Sequence, residues 1–205
     1  RMSAVSFHET KSFICGEGGA LVLNDPADVD RANVLYEKGT DRRAFEDGTV
    51  DKYTWRDVGS SFGMSDILAA YLLAQMEARR TILARRGALV ERYQQILAPE
   101  AGTRGFEVPA MPGDREYAYH LYYVLLDGPE TRARVTAALA AAGIRAAFHF
   151  VPLHDSEGGR RYGVGPAHSP VPEDIAGRLL RLPVHNAMTT ADAERVSFAL
   201  LDALA

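Results

Sequence analysis

The stretch Ser6-Phe7-His8-Glu9-Thr10-Lys11, which runs through Ser12-Phe13-Ile14-Cys15 into Gly16-Glu17-Gly18-Gly19-Ala20, decides the fold. Ala4 to His8 is short, apolar and β-prone. Ser12 to Cys15 and Ala20 to Asn24 read as two further short strands, joined by a glycine-bearing turn at 16–19. Lys11 therefore follows a strand directly. A lysine at a strand end is by default a solvated surface residue. The alternative is a Schiff-base lysine, which needs a partly desolvated amine whose neutral nitrogen can attack a carbonyl. A nearby hydroxyl, such as that of Ser6, could bind a phosphate. Spacing alone leaves both readings open.

Asp25-Pro26 predicts a helix start, with Asp as N-cap and Pro in the first turn, ending near Lys38 at Gly39. Residues 40 to 63 are polar and irregular, rich in Arg42, Arg43, Lys52 and Arg56 and in the aromatics Phe45, Tyr53, Trp55 and Phe62. Ser65 caps a long helical stretch. Its first apolar stripe is Ile67, Leu68, Tyr71, Leu72 and Met76, and its second is Leu89, Val90, Tyr93, Ile96 and Leu97, with a bend or break expected between Arg79 and Gly87. Residues 100 to 116 look like a connection between two folding units. The remainder predicts a strand over 117–126, a helix over 130–142 and a strand over 145–151. A Gly/Pro/Ser-rich loop over 155–172 and a helix over 173–181 follow. Thr189-x-x-Asp192 resembles a capping box that opens a last helix to about Leu204.

The sequence has 205 residues, 47% hydrophobic and 24% charged, with a net charge of −4, so a sizeable core fits and neither a nucleic-acid nor a membrane-surface partner is indicated. One cysteine, Cys15, excludes an internal disulfide framework and suits a reducing cytoplasm. No apolar run approaches the roughly 18 residues that span a bilayer. Cys15 reads as a small buried hydrophobe. His149 and His154 could be imagined as metal ligands, but no cysteine or carboxylate cluster completes such a site, and no metal is expected.

Further motifs follow the lysine segment in order. They are Glu37-Lys38-Gly39-Thr40, Val50-Asp51-Lys52-Tyr53-Thr54-Trp55, Gly59-Ser60-Ser61-Phe62-Gly63-Met64-Ser65-Asp66, Ala69-Ala70, His149-Phe150-Val151-Pro152-Leu153-His154 and Leu182-Pro183. Together they resemble the DegT-type sugar aminotransferases, fold-type I enzymes that depend on pyridoxal 5'-phosphate (PLP) and act on nucleotide-linked keto sugars. The resemblance covers essentially the whole chain. It implies an α/β fold, the C-terminal part of a fold-type I PLP-dependent transferase: residues 1–98 would end the large domain with its long connecting helix, and 99–205 would form the small α+β domain. The 51–55 and 59–62 runs are most similar to the branch that aminates C4 of dTDP-4-keto-6-deoxyglucose, with glutamate as donor, to give dTDP-4-amino-4,6-dideoxygalactose.

The resemblance assigns roles by position. Lys11 matches the lysine that bonds the cofactor aldehyde and moves a proton. Ser6 matches the serine that hydrogen-bonds the PLP phosphate. Ser61 stands where the family has an Asn that reaches the other subunit's phosphate across a homodimer with shared sites, and Gly63 stands where it has an Arg. Lys52 and Tyr53 match substrate contacts; for Arg42 and Arg43 a solvated loop is the expectation. His154 matches a histidine near the substrate, and it reads equally well as a loop histidine bonded to backbone. The family's earlier half supplies other phosphate contacts, a group over the pyridine ring and the aspartate for its nitrogen. None stands in these residues, so Arg1 is expected to mark a truncation and this stretch alone to be inactive. The rivals are another nucleotide-sugar aminotransferase (a 3-keto sugar or another base) and a non-catalytic dimerising or nucleotide-sugar-binding module.

Overall fold

The computed structural model describes residues 1–166 and 168–205; Ala167, inside the predicted 155–172 loop, lies outside the described residues. The chain packs as two units, Arg1–Arg79 and Arg80–Ala205.

In the first unit β1 (Met2–Ser6) pairs antiparallel with β2 (Gly19–Leu23), from Met2 opposite Leu23 to Ser6 opposite Gly19. The expected hairpin is thus remade. Its first strand is β1, and Ser12 to Cys15 is not a strand. Residues 7–18 form one loop, closed by Phe7 N–H to Gly18 O at 2.8 Å and Cys15 N–H to Phe7 O at 2.9 Å. Cys15 turns inward to 2% exposure, which takes its segment off any ladder. Asp25 accepts the Ala27 N–H at 3.0 Å and caps a single 3-10 turn that leads into α1 (Val29–Tyr36). After α1 the chain reverses at Lys38 and Gly39, both at positive φ.

The expected irregular loop holds a short helix, α2 (Arg42–Glu46), in which Arg42 pairs with Glu46 and Arg43 with Asp47. These two arginines are exposed ion-pair partners on a short helix, where the sequence predicts a solvated loop. Ser65 caps α3 (Asp66–Glu77), accepting the Leu68 N–H at 3.4 Å. No residue of α3 is fully buried, and Ile67 is 82% exposed, so its apolar stripe is not a core stripe within this unit.

The helix breaks at Ala78, and α4 (Arg79–Leu97) carries its inward face, Leu89, Val90, Tyr93 and Leu97, into the core of the second unit. That core lies between helices and a three-stranded antiparallel sheet of order β3 (Phe106–Glu107), β4 (Tyr122–Leu126), β5 (Leu179–Leu182). In β4 the alternate residues Tyr122, Val124 and Leu126 are fully buried, each aliphatic one contributing about 1.5–3 kcal/mol. The helices α5 (Pro129–Ala141) and α8 (Thr190–Ala203) pack Val135, Leu139, Val196 and Leu200 into the same core. The Thr189–Asp192 capping box is formed in full.

Three predicted elements change. The strand expected over 117–126 is only Tyr122–Leu126. The one expected over 145–151 makes a single bridge, Ala147 with Arg181, because Phe148, Phe150 and Val151 face outward and find no layer to cover them. The helix expected over 173–181 is α7 (Pro170–Arg178), which stops where Leu180 and Leu182 turn into the core as β5. Within the predicted loop stands α6 (Glu157–Tyr162), capped by Ser156.

Candidate cofactor and substrate site

Lys11 sits in the loop 7–18, its backbone N–H on His8 O at 2.9 Å, with its side chain exposed. The loop is folded on itself: Glu9 N–H meets Gly16 O at 2.9 Å. The His8 ring adds a brace. Nδ1 accepts the Thr10 N–H at 3.2 Å and lies 3.0 Å from Thr10 Oγ1, which leaves Nε2 carrying the proton toward Glu17 at 3.4 Å. Beneath the loop Cys15 Sγ lies 3.5 Å from Glu17 O and 3.9 Å from Met64 Sδ. Gly18 must be glycine here, since a Cβ would stand 2.5 Å from Met64 Cε and 2.6 Å from Cys15 Sγ.

Ser6 is the last residue of β1, and its Oγ accepts the His8 N–H at a long 3.4 Å. Its own proton has no protein acceptor among the described residues. The end of β1 and the loop that follows it thus offer a hydroxyl donor at Ser6 and an amine at Lys11, the groups that a phosphate and an aldehyde on one small molecule require. The fit is chemical, and it is partial. Lys11 is exposed, so the residues it folds among do not desolvate its amine.

The 59–64 run lies against the 37–39 turn. Glu37 bridges Ser61, Lys38 N–H reaches Ser60 O at 3.2 Å, and the backbones abut so closely that a Cβ on Gly59 would stand 2.1 Å from Gly39 N. Asp41 closes the loop that carries Lys52 and Tyr53. It accepts the Thr54 N–H at 2.6 Å through Oδ1 and Arg56 at 3.3 Å through Oδ2. Arg31 pairs with Asp57, whose carboxyl is held below its ordinary range first by the Val58 N–H and then by Arg31. Lys52 is exposed, and the Tyr53 ring packs at 5.7 Å on Phe45. No hydrogen bond or ion pair among the described residues joins Lys52 or Tyr53 to Ser6 or Lys11. Ser61 is exposed, and among the described residues its run meets the lysine loop through the contact of Met64 with Cys15.

His154 belongs to the second unit, in a 3-10 turn over Leu153–Asp155. Its partner is a side chain, not the backbone that the bland alternative expected: Nε2 lies 2.9 Å from Glu173 Oε1. It also lines a cavity of about 360 Å³ with Leu153, Gly159, Arg160, Gly163 and Gly165.

Sequence reasoning missed Glu173, Asp41 and the brace at His8. Glu173 is an acid in the first turn of a helix, an ordinary position. Asp41 is one acid among many. Only the His8-x-Thr10 spacing could have signalled a side-chain turn. Among the described residues no group of three or more His, Cys, Asp or Glu is placed to hold a metal, and no helix is long and apolar enough to cross a membrane.

Known proteins share this fold. A model described as the DegT/DnrJ/EryC1/StrS aminotransferase family matches residues 1–201. The structure of the aminotransferase TlmJ from Streptoalloteichus hindustanus superposes with a TM-score of 0.84 at 26% identity, over 99% of this chain and 52% of that one. S. venezuelae DesV, solved in complex with a ketimine intermediate, gives 0.83 at 27% identity, over 99% and 51%. Helicobacter pylori PseC, an aminotransferase involved in the biosynthesis of pseudoaminic acid, shares the fold with a TM-score of 0.84 at 20% identity, over 99% and 53%. The chain spans about half the length of these solved structures.

Proposed function

This chain belongs to the DegT/DnrJ/EryC1/StrS aminotransferase family, whose members bind PLP, and from that premise we propose that it works as the lysine-bearing part of a sugar transaminase. The amino acceptor is a nucleotide-linked 4-keto-6-deoxy sugar, dTDP-4-keto-6-deoxyglucose in the first instance, and the donor is glutamate. The observation that carries the proposal is the loop 7–18, which presents the Lys11 amine five residues from the Ser6 hydroxyl and is pinned from below by Cys15 and Met64.

When bound, PLP supplies an electron sink that lets the bond to hydrogen beside the nitrogen ionise. The residues of this chain do the rest. Lys11 Nζ would hold the cofactor through its aldehyde and, once free, would take up and return the proton at the reacting carbons. Ser6 Oγ–H donates to the phosphate without adding charge, and the Ser61 hydroxyl reaches the phosphate of a second copy in a homodimer. Lys52 offsets diphosphate charge, Tyr53 offers its ring and hydroxyl to the nucleotide sugar, and His154 meets the sugar. Residues 1–98 would end the large domain and 99–205 form the small one, and the division between packing units at Arg79 and Arg80 falls within the stretch assigned to the connecting helix. The cytoplasm is the compartment in which nucleotide sugars and PLP would both be met.

The test is a substrate panel. The full-length enzyme with PLP and glutamate is offered 4-keto and 3-keto deoxysugars on dTDP and on UDP, and the product is identified by mass spectrometry and NMR. Amination at C4 of the dTDP sugar is expected. Preference for a 3-keto substrate, or for another base, overturns the substrate assignment and leaves the transaminase.

A further inference from the structure

Glu173 stands in the first turn of α7 and has two partners on one oxygen. Oε1 accepts the Ser169 N–H at 2.8 Å and lies 2.9 Å from His154 Nε2. A third group, His168 Nδ1, is 3.8 Å away, beyond hydrogen-bond range, on a side chain 90% exposed. The Ser169 N–H first, and then His154, hold the Glu173 carboxyl below its ordinary range. Near neutral pH this side chain is therefore a carboxylate, which can only accept.

An acceptor-only partner dictates the state of a neutral imidazole. The single proton must sit on Nε2, and Nδ1 must carry a lone pair. His154 lines the 360 Å³ cavity, whose wall also carries Arg160 and the glycines 159, 163 and 165. Arg160 can only donate, and it already gives one N–H to Asp155 at 3.1 Å. A sugar hydroxyl both donates and accepts. Whenever the ring is neutral, the wall pairs a donor-only cation with a nitrogen acceptor, which matches that chemistry at both ends.

We propose that Glu173 is the positioning residue of His154, holding its neutral ring as the Nε2–H tautomer so that Nδ1 accepts from a hydroxyl of the sugar. The proposal rests on the reading, given above, that His154 contacts the sugar. Glu173 touches no substrate atom itself. It acts through the orientation and tautomer of the histidine.

The decisive readout does not need activity. Long-range proton–nitrogen correlation spectra of the ¹⁵N-labelled 205-residue chain, at mildly alkaline pH, identify the tautomer of each neutral histidine. His154 is expected as a single Nε2–H form. Glu173→Gln, which keeps an acceptor oxygen, retains that form; Glu173→Ala admits the Nδ1–H form. A wild-type His154 protonated on Nδ1 overturns the proposal. So does an unchanged tautomer in Glu173→Ala, because Glu173 would then serve only as the partner of Ser169. In the full-length enzyme, Glu173→Ala is expected to raise KM for the nucleotide sugar about tenfold, the value of roughly one hydrogen bond, with a smaller change in kcat. If His154→Ala raises KM and Glu173→Ala does not, the positioning role fails alone. If neither moves KM, the reading of His154 as a sugar contact fails instead.

Discussion

Cys15 Sγ packs 3.9 Å from Met64 Sδ, across 49 residues of sequence. The contact joins the two motifs on which the family resemblance rests, the lysine segment and the 59–64 run. It involves Cys15, the one buried residue of the loop 7–18 among the described residues.

Gly18→Ala should disturb that anchor, since the new methyl would meet both Met64 Cε and Cys15 Sγ inside van der Waals distance. In the full-length enzyme, bonding of Lys11 to PLP, followed by absorbance, should slow at least about tenfold, as expected when a reacting group is misplaced by a fraction of an ångström or more. Met64→Ala removes the clash with Cε and leaves the one with Cys15 Sγ, so it relieves the methyl only in part. The double variant should therefore lose less than the sum of the two single losses. Strictly additive losses would show that the contact does not set the loop.

Arg86 is 4% exposed and has no carboxylate partner; it donates instead to Tyr119 O at 2.8 Å, His120 O at 2.5 Å, Val184 O at 3.2 Å and Asn186 Oδ1 at 3.3 Å. Burial lowers its pKa, yet a guanidinium stays charged near neutrality. Arg86→Met removes the charged donor from several part-buried acceptors at once and should cost about 3 kcal/mol in urea unfolding. Arg86→Lys should recover only part, because an ammonium cannot serve this planar set of acceptors.

Tyr93 and Tyr122 stack at 5.0 Å, fully buried, with their hydroxyls on Pro183 O at 2.9 Å and Gln94 Oε1 at 2.7 Å. Tyr122→Phe should cost about 1 kcal/mol and Tyr122→Ala about 3–5 kcal/mol. Burial raises both phenol pKa values above the ordinary range near 10. The sign follows: the stabilisation is complete below about pH 10 and is lost as pH rises toward the folded values, because the unfolded phenols release their protons first. The thermal midpoint should fall above about pH 10, and less steeply in a Tyr93→Phe/Tyr122→Phe variant.

At the acid end the Asp192 carboxyl is held low by the Thr189 N–H first and the Thr189 hydroxyl second. A depressed carboxyl stabilises above its unfolded pKa, about 4, and its contribution is lost as pH falls through the lower folded value. Asp192→Asn should flatten the decline of the thermal midpoint between about pH 5 and 2. Thr189→Ala, which removes the N-cap of α8, should cost about 1 kcal/mol at neutral pH.

Much of this was legible in the residues. The caps at Asp25, Ser65 and Thr189 and the stop at Gly39 are written in local chemistry, and the structure has each of them; the break expected between Arg79 and Gly87 falls instead at Ala78, and α4 runs unbroken through that range. The strands were harder. β3 is two residues long, and β5 begins one residue after α7 ends, so neither leaves a period to count. The pairing of β1 with β2 depends on Cys15 turning inward, a tertiary event. In the site, type and spacing leave Lys11 and Ser6 open between surface and cofactor roles, and the family resemblance singles them out. Glu173 meets His154 from 19 residues away in sequence, and no local pattern reports such a meeting.

The account depends most on the amine of Lys11. The direct measurement is borohydride reduction of the full-length enzyme with PLP, followed by peptide mapping. The account predicts one phosphopyridoxyl group per chain, on Lys11, and none in Lys11→Ala. A label on another lysine, or no label in a folded enzyme saturated with PLP, would contradict it.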